Sequence, residues 1–185
     1  MKVILCLFLI YSVYSSYSRA GALNYAKTNV HNPNHECDSY YESCTPYAYY
    51  GSEHCGYTSH GGNSANFVSQ CLVKGGNHPK LTGSRYCTGY PCGFEEVGVW
   101  ALGTCLVQKG WKSECGYLMK PPSYIKAGDV IIYHKKGCDG DGHAALITVE
   151  GDNPKITCQS IEQINQDYKY QSNSYPYYEW LHYQQ

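Results

Sequence analysis

The stretch Gly61-Gly62-Asn63-Ser64-Ala65-Asn66-Phe67-Val68-Ser69-Gln70-Cys71-Leu72-Val73-Lys74-Gly75-Gly76 decides how this chain is read. Its apolar residues at 67, 68, 71 and 72 stand at offsets of one, four and five. That spacing predicts one face of a helix, opened by a glycine loop and stopped by the Gly75-Gly76 pair. Working outward, Ala22 to Thr28 is a short helical candidate, and Asn32-Pro33 turns the chain away from helix. On the other side a helix is expected from about Phe94 to Gln108, with Val97, Trp100, Ala101 and Cys105 on one face and Gly98 and Gly103 weakening it. Ser113 to Lys126 reads as loop, since Pro121-Pro122 disfavours regular structure. The last third is a run of strands: Asp129 to His134, His143 to Glu150 and Lys155 to Ser160, separated by the turn-forming Gly137 to Gly142 and Gly151 to Pro154. Helices followed by an antiparallel sheet are the α+β pattern.

Composition limits the alternatives. The 185 residues fit one domain, and 16% charged residues with 21 tyrosines do not describe a disordered chain. Fourteen Lys+Arg against 15 Asp+Glu leave no basic excess for a phosphate backbone, so no nucleic-acid partner is expected. Met1-Lys2, the apolar run Val3 to Tyr14 and the small residues Ser18 and Ala20 read as a signal peptide over 1–20, leaving a single domain over 21–185. The run is too short to span a bilayer, so the chain is expected to be secreted, with no transmembrane segment. Losing Lys2, Arg19 and Cys6 with the signal lowers the basic count to 12 against 15 acids and leaves 10 of the 11 cysteines. An even number in a secreted chain predicts disulfides. Cys37, Cys44 and Cys55 fall in an aperiodic stretch from about 31 to 60, read as a stapled loop. No C-x-x-C and no paired-histidine spacing occurs, so neither a metal nor a cofactor is expected.

The block GGNSANFVSQCLVKGG resembles the signature of the putative amidase domain family, which is similar to NlpC/P60, CHAP and papain-like hydrolases. The likeness extends to Ala22 to Ala26 (ALNYA), Gly128 to Ile131 (GDVI), Gly142 to Ala144 (GHA) and Trp180. It implies a papain-like arrangement, with N-terminal helices on a C-terminal antiparallel sheet. It also implies a nucleophile at the start of the first core helix, a histidine base at a strand start and a polar orienting residue on the next strand. Those positions are Ser64, His143 and Gln159, with Asn63 and Asn66 as substrate-binding neighbours. The substrates implied are peptide or peptidoglycan-stem amides.

Physical chemistry supports these positions independently. A nucleophile at a helix N-terminus has its anion stabilised by the dipole and unpaired N–H groups, which can also hold an oxyanion. Gln159 follows from register: if Val149 lies opposite Lys155, Gln159 faces Ala145 on the side of His143, whereas a slip of one residue puts Ser160 there. The family carries cysteine where this chain has Ser64, and a hydroxyl must lose its proton to the base during attack. Cys71 lies seven residues further, about 10 Å along a helix, and does not replace it. Three readings stay open: a serine hydrolase, a pseudoenzyme that binds without cutting, and an inactivated variant. A Tyr/Cys-rich structural protein is a further alternative. Outside the pattern, Ser64 is an ordinary N-cap and His143 a turn residue. His60, His134 and Asp129 are second-rank candidates, Asp129 more as a cap. Tyr168, Tyr170, Tyr175, Tyr177, Tyr178, Trp180 and Tyr183 predict a C-terminal strand with one buried face.

Overall fold

The computed structural model describes residues 16–31, 64–79, 81, 99–138, 142–159 and 163–184. The stapled-loop candidate, with His60 and Asn63, lies outside them. Among these residues three α-helices, α1 (Arg19–Asn29), α2 (Ser64–Gln70) and α3 (Val99–Gln108), precede six strands. These are β1 (Lys112–Tyr117), β2 (Val130–His134), β3 (Gly142–Val149), β4 (Lys155–Cys158), β5 (Gln163–Asp167) and β6 (Tyr177–His182). They form one antiparallel sheet in the order β1-β6-β2-β3-β4-β5. The α+β expectation holds, with the helices ahead of the sheet in sequence.

The helix expected over 64–74 forms, but its last turn, Cys71–Gly75, is a π-helix. One face of the sheet carries Val130, Ile132, Ala144, Leu146 and Leu181 and packs on Ala22 and Ala26 of α1, Phe67 and Val68 of α2, and Leu102 and Leu106 of α3. The opposite face carries Ile131, Tyr133, Ala145, Ile147, Ile156, Cys158, Tyr178 and Trp180, covered by Ile125 and Tyr168. Apolar residues on both faces explain why β2 and β3 read as continuous apolar runs. The C-terminal tyrosine and tryptophan side chains at 168, 178 and 180 serve mainly as core.

Several expectations are corrected. Ser113 to Tyr117, read as loop, belongs to β1: the sequence KSECGY carries no apolar alternation, and its order comes from pairing with β6 and from the Cys115–Cys138 disulfide. The buried face of α3 is Leu102, Gly103, Cys105 and Leu106, while Trp100 is 44% exposed. Gly103 is there for close approach, because a Cβ would stand 3.0 Å from Ile132 Cδ1. Among the described cysteines, Cys115 and Cys138 are paired, as a secreted chain predicts, while Cys71 and Cys158 are buried thiols.

The start of the domain differs most. Ser18 caps α1, its Oγ accepting from Gly21 N at 3.1 Å. Tyr17 is buried against His78, Trp111 and Tyr183, and its hydroxyl donates to Gly128 O at 2.5 Å. Arg19 reaches Asp129 at 2.7 Å. Residues 17–20 are thus built into the fold, and a boundary after residue 20 cuts through α1. Asp129, fully buried, also meets His182 Nδ1 at 2.6 Å and accepts from Lys126 N at 2.8 Å and Tyr183 N at 3.3 Å. Its capping role is one part of a hub joining the N-terminal segment to β2 and the C-terminus. Gly128 beside it has φ +93°, and a Cβ there would stand 2.7 Å from Arg19 Cβ.

Candidate active site

Ser64 opens α2 and is 2% exposed. Its Oγ accepts a hydrogen bond from Ala144 N at 3.2 Å. The sheet explains why that amide is available. Ile147 donates to Asp129 O and accepts from Gly128 N, so its backbone groups face β2. Alternation along β3 turns the Ala144 N–H the other way, toward β4. The pairing of β3 with β4 runs from Lys155 to Thr157, the last opposite Leu146. Ser64 therefore takes an N–H that lies just past that pairing, on the amide that follows the carbonyl of His143.

His143 is 8% exposed and pairs across β2 with Tyr133, whose ring centroid is 6.0 Å from its own. Its Nε2 lies 2.9 Å from the Tyr170 hydroxyl, which is 3.3 Å from Cys158 Sγ. Tyr170 belongs to a short 3-10 helix, Tyr168–Gln171, that follows β5. No hydrogen bond joins Ser64 to His143 among the described residues.

Gln159 stands elsewhere than expected. Val149 does pair with Lys155, but Ile147 pairs with Ile156, so a bulge at Thr148 shifts the register by one residue. Continued from the Leu146–Thr157 pair, that register sets Cys158 opposite Ala145 and Gln159 opposite Ala144. Gln159 consequently lies on the helix side, where its Nε2 donates to Asn29 O at 2.7 Å and Val30 O at 3.0 Å. These are carbonyls at the C-terminal end of α1, which lack partners within the helix. The slip would bring Ser160 to the side of His143, and Ser160 lies outside the described residues. Asn66 is likewise interior: it is 1% exposed, its Oδ1 accepts from Gln70 Nε2, and Gln70 Oε1 accepts from Tyr25. Through Gln70 and Tyr25, this chain of hydrogen bonds joins α2 to α1.

His134 has a partner that sequence reading did not identify: its Nε2 is 3.0 Å from Glu179 Oε2, and Glu179 Oε1 accepts from Ser113 Oγ at 2.6 Å. Among the described residues no group of three or more His, Cys, Asp or Glu side chains could hold a metal. No described helix is long and apolar enough to cross a membrane.

Burial pushes the His143 imidazole down to about 4. Burial also lowers His78, whose Nε2 accepts from Trp111 Nε1 at 3.0 Å while its Nδ1 lies 2.7 Å from Pro79 O. Both rings are held neutral in the folded protein and take up a proton more readily when unfolded. Their contribution is present above an ordinary histidine value near 6.5 and is lost as pH falls. Thermal unfolding followed by circular dichroism is expected to show the midpoint dropping from about pH 6.5 toward pH 4. A His78→Gln variant should show a shallower slope, and an unchanged slope would remove His78 from that account.

A family model described as putative amidase domain matches residues 16–182. Among solved structures, the chain is similar to one titled the type VI native effector–immunity complex Tae3–Tai3 from Ralstonia pickettii. The identity is 18% and the TM-score 0.45, covering 90% of this chain and 100% of that one. No curated protein matches. The family match takes in every described helix and strand, and the chain belongs to the putative amidase domain family, whose type of activity is amide-bond hydrolysis.

Proposed function

We propose that the chain is a secreted amidase acting on peptide or peptidoglycan-stem amides, with Ser64 as nucleophile and His143 as base. The observation that carries this is the meeting of Ser64 Oγ with the Ala144 amide, one peptide bond from His143. Nδ1 is the ring nitrogen nearer its own backbone, and it is the one that the Tyr170 contact at Nε2 leaves available for the Ser64 proton. Attack forms a bond from Oγ to the amide carbonyl carbon as the Oγ proton passes to Nδ1. The C–N bond then breaks, the imidazolium returns that proton to the leaving amine, and water hydrolyses the acyl-serine with His143 again as base. A neutral buried imidazole starts this cycle in the required state. Gln159 contributes by fixing the end of α1.

Secretion is supported by the apolar N-terminal run and by the Cys115–Cys138 disulfide, which suits an oxidising compartment. A second reading, a binding protein on the same scaffold, is favoured by one observation: Ser64 Oγ is engaged by backbone and the His143 ring by Tyr170. The deciding experiment incubates the purified protein with peptide and muropeptide amides and follows the released amine by mass spectrometry. Turnover lost in His143→Ala is the expected result. Saturable binding without turnover, in both the native protein and Ser64→Cys, would establish the second reading instead.

A further inference from the structure

We propose that Tyr170, directed by Cys158, is the positioning residue of His143, in the role that the sequence pattern had given to Gln159. The proposal rests on the reading of His143 as base. Gln159 is occupied on the far side of the sheet, its amide nitrogen shared between Asn29 O and Val30 O. The imidazole has instead a partner on its own side, the Tyr170 hydroxyl 2.9 Å from Nε2. Tyr133 and Tyr170 flank the ring at centroid distances of 6.0 and 6.2 Å. A partner at Nε2, the nitrogen farther from the backbone, leaves Nδ1 unengaged by Tyr170.

A hydrogen bond at Nε2 does not by itself set which nitrogen carries the proton, because a phenol both donates and accepts. Cys158 Sγ, 3.3 Å from the same hydroxyl, offers the phenol proton a second acceptor, and its own S–H can donate to the phenol oxygen. With the phenol proton turned to sulfur, the phenol oxygen accepts from Nε2–H, and Nδ1 keeps the lone pair that attack by Ser64 requires. The reverse order would put a proton on Nδ1, where no acceptor stands among the described residues. A proton on Nδ1 would also remove the lone pair that a base for Ser64 must offer. Cys158, Tyr170 and His143 thus form a chain that sets the tautomer, and burial that pushes the Cys158 thiol up to about 11 keeps its sulfur uncharged.

The experiment reads the tautomer directly, by long-range nitrogen–proton correlation NMR on the uniformly labelled full chain at pH 7. The native protein is expected to carry the His143 proton on Nε2. Tyr170→Phe should give mixed tautomers and lower kcat/KM roughly 10- to 100-fold, mainly through kcat. Cys158→Ala, which frees the phenol proton to turn to nitrogen, should move His143 toward the Nδ1–H form, and Gln159→Ala should leave the tautomer as it was. A native Nδ1–H ring, or a tautomer indifferent to Tyr170→Phe, overturns the proposal. The native measurement needs no substitution, so a variant that fails to fold does not spoil the test. An inactive protein with the expected tautomers would sink the amidase reading and leave the positioning chain standing.

Discussion

Ser64→Ala is expected to abolish amide hydrolysis, with kcat falling on the order of 10⁴- to 10⁶-fold, because no other nucleophile among the described residues at the site can form the acyl intermediate. Cys71, the thiol on the same helical segment, is buried and its acidity is suppressed, so it does not substitute. The variant also has a structural signature. Ala144 N–H loses its acceptor, which should cost about 1–3 kcal/mol of stability if no water replaces it. Ser64→Cys separates the two effects, since sulfur accepts a hydrogen bond only weakly yet is an intrinsically strong nucleophile. It should therefore be less stable than the native protein while retaining or exceeding its turnover. Undiminished hydrolysis by Ser64→Ala would remove Ser64 from the mechanism.

The largest effect on stability is expected from Asp129→Ala, about 3–5 kcal/mol, the usual result of removing one partner from a buried ion pair. The loss strips Arg19 of its carboxylate, His182 of its partner, and the Lys126 and Tyr183 amides of an acceptor. Against a typical total of about 5–15 kcal/mol this takes a large share. Urea unfolding should show it as a lower midpoint at unchanged slope. A chain starting at Gly21 should lose a similar amount, because it lacks both Arg19 and Tyr17. N-terminal sequencing of the secreted protein is accordingly expected to find Tyr17 present, and a start at Gly21 in a stable, folded product would contradict this role for the hub.

Most of the fold was legible where apolar pattern and local chemistry agree. The helix over 64–74 and strands β2, β3 and β4 announce themselves through residues that are buried in the structure. β1 and β5 do not, because KSECGY and QINQD are polar edge strands: β1 takes its order from the distant β6, and β5 from an irregular pairing with the preceding β4. At the leader boundary read after Ala20, two chemistries compete for the same residues. Ser18 and Ala20 satisfy the small-residue pattern before a cleavage point, yet Ser18 is the cap of α1 and Arg19 the partner of Asp129. At the site, Ser64 and His143 were readable as local motifs. The side assigned to Gln159 depended on counting along a hairpin, and one bulged residue, Thr148, is enough to reverse every such assignment beyond it. Tyr170 could have been found only as one of many C-terminal tyrosines.

The two thiols among the described residues, Cys71 and Cys158, mark the two layers of the described fold with separate chemical handles. Cys71 belongs to the cluster beneath the helices and Cys158 to the cluster on the other side of the sheet. An alkylating reagent reaches either one only when its own layer opens, so the two labelling rates measure two local unfolding equilibria within one chain. Reagent added to the native protein at neutral pH becomes a clock for each layer, and loosening around His143 would register at Cys158 while Cys71 kept its pace.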